Sequence, residues 1–329
     1  MMPRAAVACL GAGRMGRGIA VAFAYAGHDV TLVDLKPRPA PSFAALAQAA
    51  LDEVRGTLRT LAQLGLFAES AVDAIAARVH VVPEAEAGPA LSAAAVVFEG
   101  VPEVVDLKRE VLARASRLAG PDPIIASTTS TILVDDLSAA VEHPQRFLNA
   151  HWLNPAYLVP LIELSPGERT DAAVTARLRA LLEGIGKVPV VCAPRPGYIV
   201  PRIQALAMNE AARMVEEGVA SAEEIDKAIK YGFGFRFAVL GLLEFVDWGG
   251  GDILYYASRY LTQALGSDRY ASPAIVERNM KEGRLGFTTG QGFLDYGKLD
   301  LDAHRRERLR AFVAMLGQLG LSRPPVVGD

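Results

Sequence analysis

A glycine-rich hexapeptide near the start of the chain has the spacing of a phosphate-binding loop. Gly11, Gly13 and Gly16 frame Arg14 and Met15 in the pattern G-x-G-x-x-G. The first glycine of this pattern permits a tight turn, the second lets the backbone approach a pyrophosphate, and the third lets a helix pack closely on a strand. Amides and the dipole at the start of that helix then favour an anion. The loop is therefore predicted to bind the pyrophosphate of a dinucleotide cofactor.

An acidic residue, Asp34, ends the second predicted strand, 30–34. A carboxylate there can accept a hydrogen bond from the adenosine ribose 2′-hydroxyl, and its charge repels a 2′-phosphate, which favours NAD over NADP. Lys36 and Arg38 follow closely, and basic residues at this place are typical of an NADP site. NAD is the predicted cofactor, and these two cations leave NADP open.

His151 is the histidine whose surroundings indicate catalysis. It follows the strand-like run 147–150 and precedes a turn, which places it at the carboxyl end of a strand, where open α/β sheets bind ligands. Glu163 lies among aliphatic residues, where a carboxylate is rarely buried without a partner. A carboxylate that orients an imidazole and raises its basicity produces a general base for a hydroxyl proton. The alternative is a satisfied core histidine beside an unrelated glutamate. The remaining histidines are predicted to be solvated: His28, His80, His143 and His304.

The elements that must position these residues alternate between strand and helix in the first half of the chain. The run 5–10 is short, uncharged and apolar, as a buried parallel strand is, and a helical pattern and a second strand follow it. Further strands are predicted at 79–82, 94–98, 124–126, 147–151, 158–164 and 188–192. Because parallel strands need helical crossovers, the predicted fold class is α/β, a doubly wound parallel sheet.

The best domain boundary is the segment 193–197, which contains two prolines and a glycine. Strand patterns disappear beyond it. The run 202–217 predicts an amphipathic helix, and Ser221-Ala222-Glu223-Glu224 is a capping box that opens the next helix. The predicted organisation is an NAD-binding domain at 1–195 and an all-helical C-terminal domain at 196–329.

Composition excludes several classes of protein. The chain has 329 residues, of which 51% are hydrophobic and 22% charged, as in folded globular proteins. A net charge of −3 without a strongly basic run makes nucleic acid or an anionic membrane a poor partner. No apolar run reaches the roughly 18 residues of a membrane span and the N-terminus lacks signal-peptide features, so a cytoplasmic location is expected. Cys9 and Cys192 stand alone in sequence, so neither a disulfide nor a metal site is expected.

Taken together, the motifs resemble the 3-hydroxyacyl-CoA dehydrogenases over nearly the whole chain. The glycine loop is followed, in the family's order, by Glu99-Gly100-Val101-Pro102-Glu103 with Asp106-Leu107-Lys108, Ala126-Ser127-Thr128-Thr129-Ser130, His151-x-x-Asn154-Pro155 with Glu163, Pro196-Gly197-Tyr198-Ile199-Val200, and the run 285–293. The resemblance implies a Rossmann-type domain followed by a helical domain that forms a homodimer. It also implies reversible NAD-dependent oxidation of a 3-hydroxyl to a 3-keto group.

Positions that match the family's motifs imply roles for individual residues. His151 is the implied general base, and Glu163 is its orienting carboxylate. Ser130 is the implied hydrogen-bond donor to the substrate oxygen. Asn154, in the same motif as His151, is expected to bind substrate. Glu103 and Lys108 match residues that lie near the nicotinamide ribose.

Two departures from the family bear on the substrate. Pro201 stands where the family usually has an asparagine whose amide contacts the reacting substrate, so one polar contact is missing. Arg236 lies in a segment, 232–238, where the acyl-CoA enzymes usually carry a Pro-Met-Gly-Pro-type sequence. An arginine there resembles the gulonate 3-dehydrogenase (lambda-crystallin) and carnitine dehydrogenase branch, whose members oxidise small free hydroxy acids. A guanidinium suits a carboxylate and not a thioester, although a surface arginine in a loop is the alternative.

The predicted substrate is therefore a small 3-hydroxy acid, with a 3-hydroxyacyl-CoA as the alternative. The predicted helical hairpin 43–78 agrees, because it has no lysine to contact CoA phosphates and offers only Arg55, Arg59 and Arg78. A non-catalytic, structural or sensory NAD-binding protein is the alternative from another class. The catalytic set named above argues against it.

Overall fold

The first part of the chain folds around one sheet of eight strands. The computed structural model describes residues 5–327. In chain order the strands are β1 (Val7–Leu10), β2 (Val30–Asp34), β3 (Val79–Pro83), β4 (Val96–Glu99), β5 (Ile124–Ser127), β6 (Phe147–Trp152), β7 (Leu161–Pro166) and β8 (Val188–Val191). Their order across the sheet is β3-β2-β1-β4-β5-β6-β7-β8, and all neighbours are parallel except β6 and β7. The predicted α/β fold class is confirmed.

Helices cover both faces of this sheet. They are α1 (Arg14–Tyr25), α2 (Ala40–Gln63), α3 (Val72–Ala76), α4 (Ala87–Ser92), α5 (Val105–Ala119), α6 (Val134–Ser138) and α7 (Ala172–Gly184). Alternate side chains of β1 enter two separate apolar cores: Val7 and Cys9 pack with α1, whereas Ala8 and Leu10 pack with α5. Because both faces are buried, the strand is apolar at every position and does not alternate.

The antiparallel pairing of β6 and β7 is the one place where the sheet differs from the predicted parallel arrangement. The two strands are joined by residues 153–160, and this link is shorter than the dozen or more residues that a parallel crossover needs. The chain therefore turns back directly. The resulting register places His151 opposite Glu163.

The residues after the proline-rich segment are helical. They form α8 (Val200–Glu216), α9 (Ala222–Ala228), a π-helical turn (Ile229–Gly234), α10 (Phe235–Phe237), α11 (Leu242–Gly249), α12 (Gly251–Leu265), α13 (Ala274–Lys281) and α14 (Leu301–Gln318). The side chain of Ser221 accepts a hydrogen bond from the amide of Glu224 and caps α9, as the capping box predicts. Between residues 5 and 327 no helix is both long and apolar enough to cross a membrane.

The chain divides into two compact units, Met1–Ala207 and Met208–Asp329. This division lies after the segment 193–197 that the sequence predicts as the boundary. The start of α8 belongs to the first unit because the amides of Ile199 and Val200 donate hydrogen bonds to Glu163 on β7. The domain limits at 195 and 196 therefore stay a prediction from sequence.

Within the second unit, a buried carboxylate explains the glycine-rich run 285–293. Asp247 on α11 accepts hydrogen bonds from the amides of Phe293 and Leu294 and from the Tyr296 hydroxyl. A Cβ on Gly292 would lie 2.0 Å from Oδ1 of this carboxylate, so only glycine fits there. This motif is accounted for by packing of the second unit.

Candidate active site

The glycine loop joins β1 to α1 where the order of the strands reverses. Gly11 has a φ of +94°, which glycine adopts without strain. A Cβ on Gly16 would lie 2.2 Å from the carbonyl oxygen of Gly11, so the close approach of helix and strand requires glycine. A Cβ on Gly13 would meet no atom within 4 Å. The backbone at Gly13 therefore faces open space, which a pyrophosphate can approach at the start of α1.

A cleft of about 480 Å³ extends from this loop to the end of β2. It lies beside β1, where β2 is on one side and β4 on the other, which is where open α/β sheets bind dinucleotides. Its walls combine the glycine loop and Asp34 with apolar side chains, among them Leu35, Leu46, Leu107 and Val111. The apolar walls suit an adenine ring and the acid suits a ribose. The residues present therefore fit NAD.

Asp34 is buried at the end of β2 and forms an ion pair with Arg38. Nε of Arg38 lies 2.5 Å from Oδ2 of Asp34, and the Lys36 amide lies 3.4 Å from Oδ1. Arg38, which is typical of an NADP site, is thus paired with Asp34, which favours NAD. A 2′-phosphate would have to compete with the Asp34 carboxylate for this guanidinium.

Replacing Asp34 with alanine is expected to weaken NADH binding about tenfold or more, because a hydrogen bond to a charged group contributes roughly 1.5 to 3 kcal/mol. NADPH binding should hold or tighten, because the variant frees Arg38 and removes the anion that repels a phosphate. Fluorescence titration of both reduced cofactors measures the two dissociation constants. The double variant Asp34→Ala/Arg38→Ala is the control, and it should bind NADPH more weakly than Asp34→Ala does. Equal losses of both cofactors in Asp34→Ala would contradict the assignment.

His151 and Glu163 form a buried pair across the antiparallel strands β6 and β7. Nδ1 of His151 lies 2.7 Å from Oε2 of Glu163, and both side chains are buried. A carboxylate accepts hydrogen bonds only, so Nδ1 carries the proton in this pair. Nε2 is then the basic nitrogen that can take a proton from a substrate. The pairing of His151 with Glu163 that the sequence predicts is present.

Glu163 is held as a carboxylate by more than the imidazole. Its Oε1 accepts hydrogen bonds of 2.8 Å from the amides of both Ile199 and Val200. Burial opposes ionisation of Glu163, but the hydrogen bonds from His151 and from these two amides outweigh it and lower the pKa of the acid. The segment before α8 therefore fixes the charge state of the group that orients His151.

Ser130 lies in a loop after β5 that Glu103 holds in place. Oε1 of Glu103 accepts hydrogen bonds from the amides of Ser130 and Thr131 and from the hydroxyls of Thr129 and Thr131. Burial raises the pKa of Glu103, but the Thr129 hydroxyl, the Lys108 charge and the Thr131 hydrogen bonds outweigh it and lower that pKa. In this arrangement Glu103 contacts the chain around Ser130 with one oxygen. A contact with a ribose stays a prediction.

Lys108 is 1% exposed and its amine is surrounded by acceptors of the chain itself. Nζ lies 2.8 Å from Oε1 of Glu99, 3.1 Å from the Val101 carbonyl oxygen and 3.4 Å from Oε2 of Glu103. The Ser127 hydroxyl donates to the other oxygen of Glu99. Lys108 therefore links the end of β4 to Glu103, and its predicted place beside the nicotinamide ribose is untested.

Asn154 and Pro201 are the other positions that bear on the substrate. Asn154 is exposed, precedes a cis peptide bond to Pro155, and lines a second cleft together with Arg14. Pro201 is the second residue of α8, in the first helical turn, where a missing N–H costs nothing. Its place in the helix therefore explains why a proline is tolerated there.

Arg236 is exposed in the second unit, where α10 follows the π-helical turn. Its Nε donates to the Gly232 carbonyl oxygen at 3.2 Å, and its guanidinium lies 5.3 Å from the centre of the Phe245 ring. Among residues 5–327, no carboxylate lies within ion-pairing distance of it. π-Helical turns are frequent at functional sites.

Two of the histidines that the sequence predicts as solvated are not. His28 is 9% exposed, and its Nδ1 lies 2.9 Å from the Ala5 carbonyl oxygen. His304 places Nε2 2.7 Å from Glu244. Those predictions were wrong because partners distant in sequence satisfy the rings. His80 is exposed, as predicted.

Tyr198 is a site residue that the sequence did not predict, although it lies in the motif 196–200. The ring of Tyr198 stacks on that of His151, with 5.4 Å between the ring centres. An aromatic residue directly after Pro196-Gly197 was the available signal.

Comparisons with known proteins agree over most of the chain. The NAD binding domain of 3-hydroxyacyl-CoA dehydrogenase matches residues 6–195, and the C-terminal domain of the same enzyme matches residues 197–296. A 3-hydroxyacyl-CoA dehydrogenase structure from Archaeoglobus fulgidus superposes with a TM-score of 0.75 at 31% identity, over 97% of this chain and 100% of that one.

The names of two curated relatives each state a substrate. The 5-formyl-3-hydroxy-2-methylpyridine 4-carboxylate 5-dehydrogenase of Mesorhizobium japonicum is 31% identical, over 94% of this chain and 96% of its own length. The L-carnitine dehydrogenase of Streptomyces coelicolor is 37% identical, over 74% of this chain and 73% of its own.

Proposed function

The chain belongs to the 3-hydroxyacyl-CoA dehydrogenase family and is an NAD-dependent oxidoreductase, and we propose that it oxidises the 3-hydroxyl of a small free 3-hydroxy acid to a 3-keto group. The single observation that carries the chemistry is the buried His151–Glu163 pair, with 2.7 Å between Nδ1 and Oε2. An imidazole whose Nδ1 is fixed by a carboxylate presents Nε2 as a general base.

In the proposed reaction, Nε2 of His151 takes the proton of the substrate hydroxyl. NAD, when bound, accepts the hydride that leaves the same carbon. The ionised Glu163 stabilises the imidazolium that forms, and the imidazolium later releases its proton to solvent. Ser130 donates a hydrogen bond to the substrate oxygen and holds it toward the base. The Glu103 carboxylate holds the loop of Ser130 by accepting hydrogen bonds from the amides of Ser130 and Thr131.

The preference for a free acid is supported by Arg236. It is an exposed cation with no carboxylate partner in the described part of the chain, and its guanidinium lies 5.3 Å from the centre of the Phe245 ring. A bidentate contact with a substrate carboxylate would satisfy it, whereas a thioester offers no charge.

The hairpin built from α2 and α3 also favours a free acid. Arg55 pairs with Asp52 and Asp73, and Arg78 donates to the Ala24 carbonyl oxygen. Two of its three arginines are therefore already engaged, and no lysine is present to bind CoA phosphates. The names of the two curated relatives point the same way, since carnitine and the pyridine carboxylate are both small acids.

A 3-hydroxyacyl-CoA is the second candidate, because the Archaeoglobus relative carries that name. NADH formation on a panel of matched substrates separates the two. The panel pairs 3-hydroxybutyrate with 3-hydroxybutyryl-CoA and adds carnitine and gulonate, with His151→Asn protein as the blank. We expect a higher kcat/KM on a free acid than on the thioester. A preference for the thioester would replace this proposal with the acyl-CoA reaction, and NAD binding without turnover of any member would favour a non-catalytic role.

We also propose that the helical unit forms a homodimer. On α12, Ile253, Tyr256 and Tyr260 are 61%, 60% and 69% exposed and share one face at helical spacing. Light scattering of the purified protein tests this, and a monomer at micromolar concentration would contradict it.

A further inference from the structure

Tyr198 has a backbone conformation that a bulky residue rarely adopts. Its φ is +43°, and it follows Gly197, whose φ is +76°. Left-handed φ values cost a side chain with a Cβ more than they cost glycine, and such strained residues persist where the surrounding structure holds them, often at functional sites. Tyr198 is also buried, with 7% of its surface exposed.

The strained backbone delivers the ring of Tyr198 against His151. The two rings are nearly parallel, at 22°, with centroids 5.4 Å apart. The imidazole is thus held from two sides, by Glu163 at Nδ1 and by the Tyr198 ring along its plane. A ring that can rotate less presents Nε2 in a more constant direction.

The hydroxyl of Tyr198 is held at the far end of the ring. It donates to the Thr129 carbonyl oxygen at 3.2 Å and accepts from Nδ2 of Asn149 at 2.9 Å. Burial raises the pKa of Tyr198 above its usual range, so the hydroxyl stays protonated and acts as a donor and not as a base. Thr129 directly precedes Ser130, the proposed donor to the substrate oxygen.

The residues that follow Tyr198 complete this arrangement. The amides of Ile199 and Val200 both donate to Oε1 of Glu163. Three consecutive residues, 198–200, therefore contact both members of the histidine pair and the chain beside Ser130. Gly197, with a φ of +76°, forms the turn directly before these three residues.

We propose that Tyr198 is a positioning residue that sets the plane of the His151 ring and fixes it relative to the Ser130 loop. This inference rests on the proposed function, because it assumes that His151 is the base. Tyr198 contacts no reacting atom and acts through His151 and Thr129. Its loss should therefore lower kcat more than it changes substrate or cofactor binding.

Two substitutions at Tyr198 separate its ring from its hydroxyl. Tyr198→Phe keeps the stacked ring and removes the tether, and we expect kcat to fall roughly 3- to 10-fold, as for loss of a hydrogen bond. Tyr198→Asn removes the ring but tolerates left-handed φ, so the backbone is retained; kcat should fall roughly 10- to 100-fold, because small misplacements of catalytic groups are costly. KM for the hydroxy acid and the NADH dissociation constant should change less than about twofold.

Tyr25→Phe is the matched control, since Tyr25 is 46% exposed at the end of α1 and packs on Phe67. The melting temperature of each variant shows whether a loss of activity comes from unfolding. The proposal is overturned if both Tyr198 variants melt near the wild-type temperature and keep kcat within twofold, or if KM alone rises.

The pH profile of kcat/KM separates an effect of Tyr198 on position from an effect on charge. The ionisable groups whose charges act around Tyr198 and the His151 pair are Glu163 on β7, Glu103 after β4 and Cys192 after β8. Tyr198→Phe changes none of them, so the pKa of the acid limb should stay in place while kcat falls. A shifted limb would mean that Tyr198 acts on charge and not on position.

The same assays distinguish failure of this inference from failure of the proposed function. If His151→Asn abolishes turnover but the Tyr198 variants are unaffected, only the role of Tyr198 is wrong. If His151→Asn retains full activity, the proposed base is wrong, and the inference about Tyr198 is refuted with it.

Discussion

Replacing His151 with asparagine is expected to lower kcat by about 10² to 10⁴, which is the usual contribution of general acid–base catalysis. Asparagine keeps a polar group facing Glu163, but its amide has no basic nitrogen to take the proton that Nε2 of His151 takes. Because the histidine lies on β6 and the glycine loop lies after β1, the NADH dissociation constant should be nearly unchanged. Steady-state kinetics and fluorescence titration measure the two quantities on the same protein. Unchanged kcat would show that another group is the base.

Glu163→Gln is the companion variant, and its effect should be smaller. Glutamine can still accept a hydrogen bond from Nδ1–H, so the ring keeps its orientation, but the imidazolium loses its counter-charge. The apparent pKa in the pH profile of kcat should therefore move downward. An upward shift would contradict the pairing seen across β6 and β7.

Much of the sheet could be predicted from the sequence because buried parallel strands are recognisable as short apolar runs. The runs at 5–10, 79–82 and 124–126 each fall within a residue or two of β1, β3 and β5. The antiparallel step from β6 to β7 was missed, although the short link 153–160 was visible. That step matters for chemistry, since it alone sets His151 opposite Glu163.

The candidate site was predictable where a residue's role follows from its own type. Glycine spacing predicts the phosphate loop, and a carboxylate among aliphatic residues predicts a buried partner for Glu163. Contacts between distant segments carry no such signal. The Arg38–Asp34 ion pair depends on how the chain turns after β2, and the stack of Tyr198 on His151 depends on a left-handed backbone at residue 198.

The prediction that decides the substrate concerns Arg236. If its guanidinium binds a substrate carboxylate, Arg236→Ala leaves a desolvated anion without a partner, and loss of such a charged pair typically costs about 2 to 5 kcal/mol. The kcat/KM on the free acid should then fall at least about thirtyfold, since 1.4 kcal/mol corresponds to tenfold. Activity on a 3-hydroxyacyl-CoA should hardly change, because the thioester presents no charge to this side chain.

Arg236→Lys makes the test sharper, because lysine keeps the charge and loses the planar fork. We expect it to recover only part of the activity that alanine loses. Arg305→Ala is the matched control, since Arg305 is also exposed and lies 5.5 Å from an aromatic ring, that of Phe287. A thirtyfold loss in Arg236→Ala with none in Arg305→Ala would assign the effect to Arg236 and not to loss of any stacked arginine. If Arg236→Ala oxidises the free acid normally while the wild type prefers a CoA thioester, the small-acid proposal is wrong and the acyl-CoA reaction takes its place.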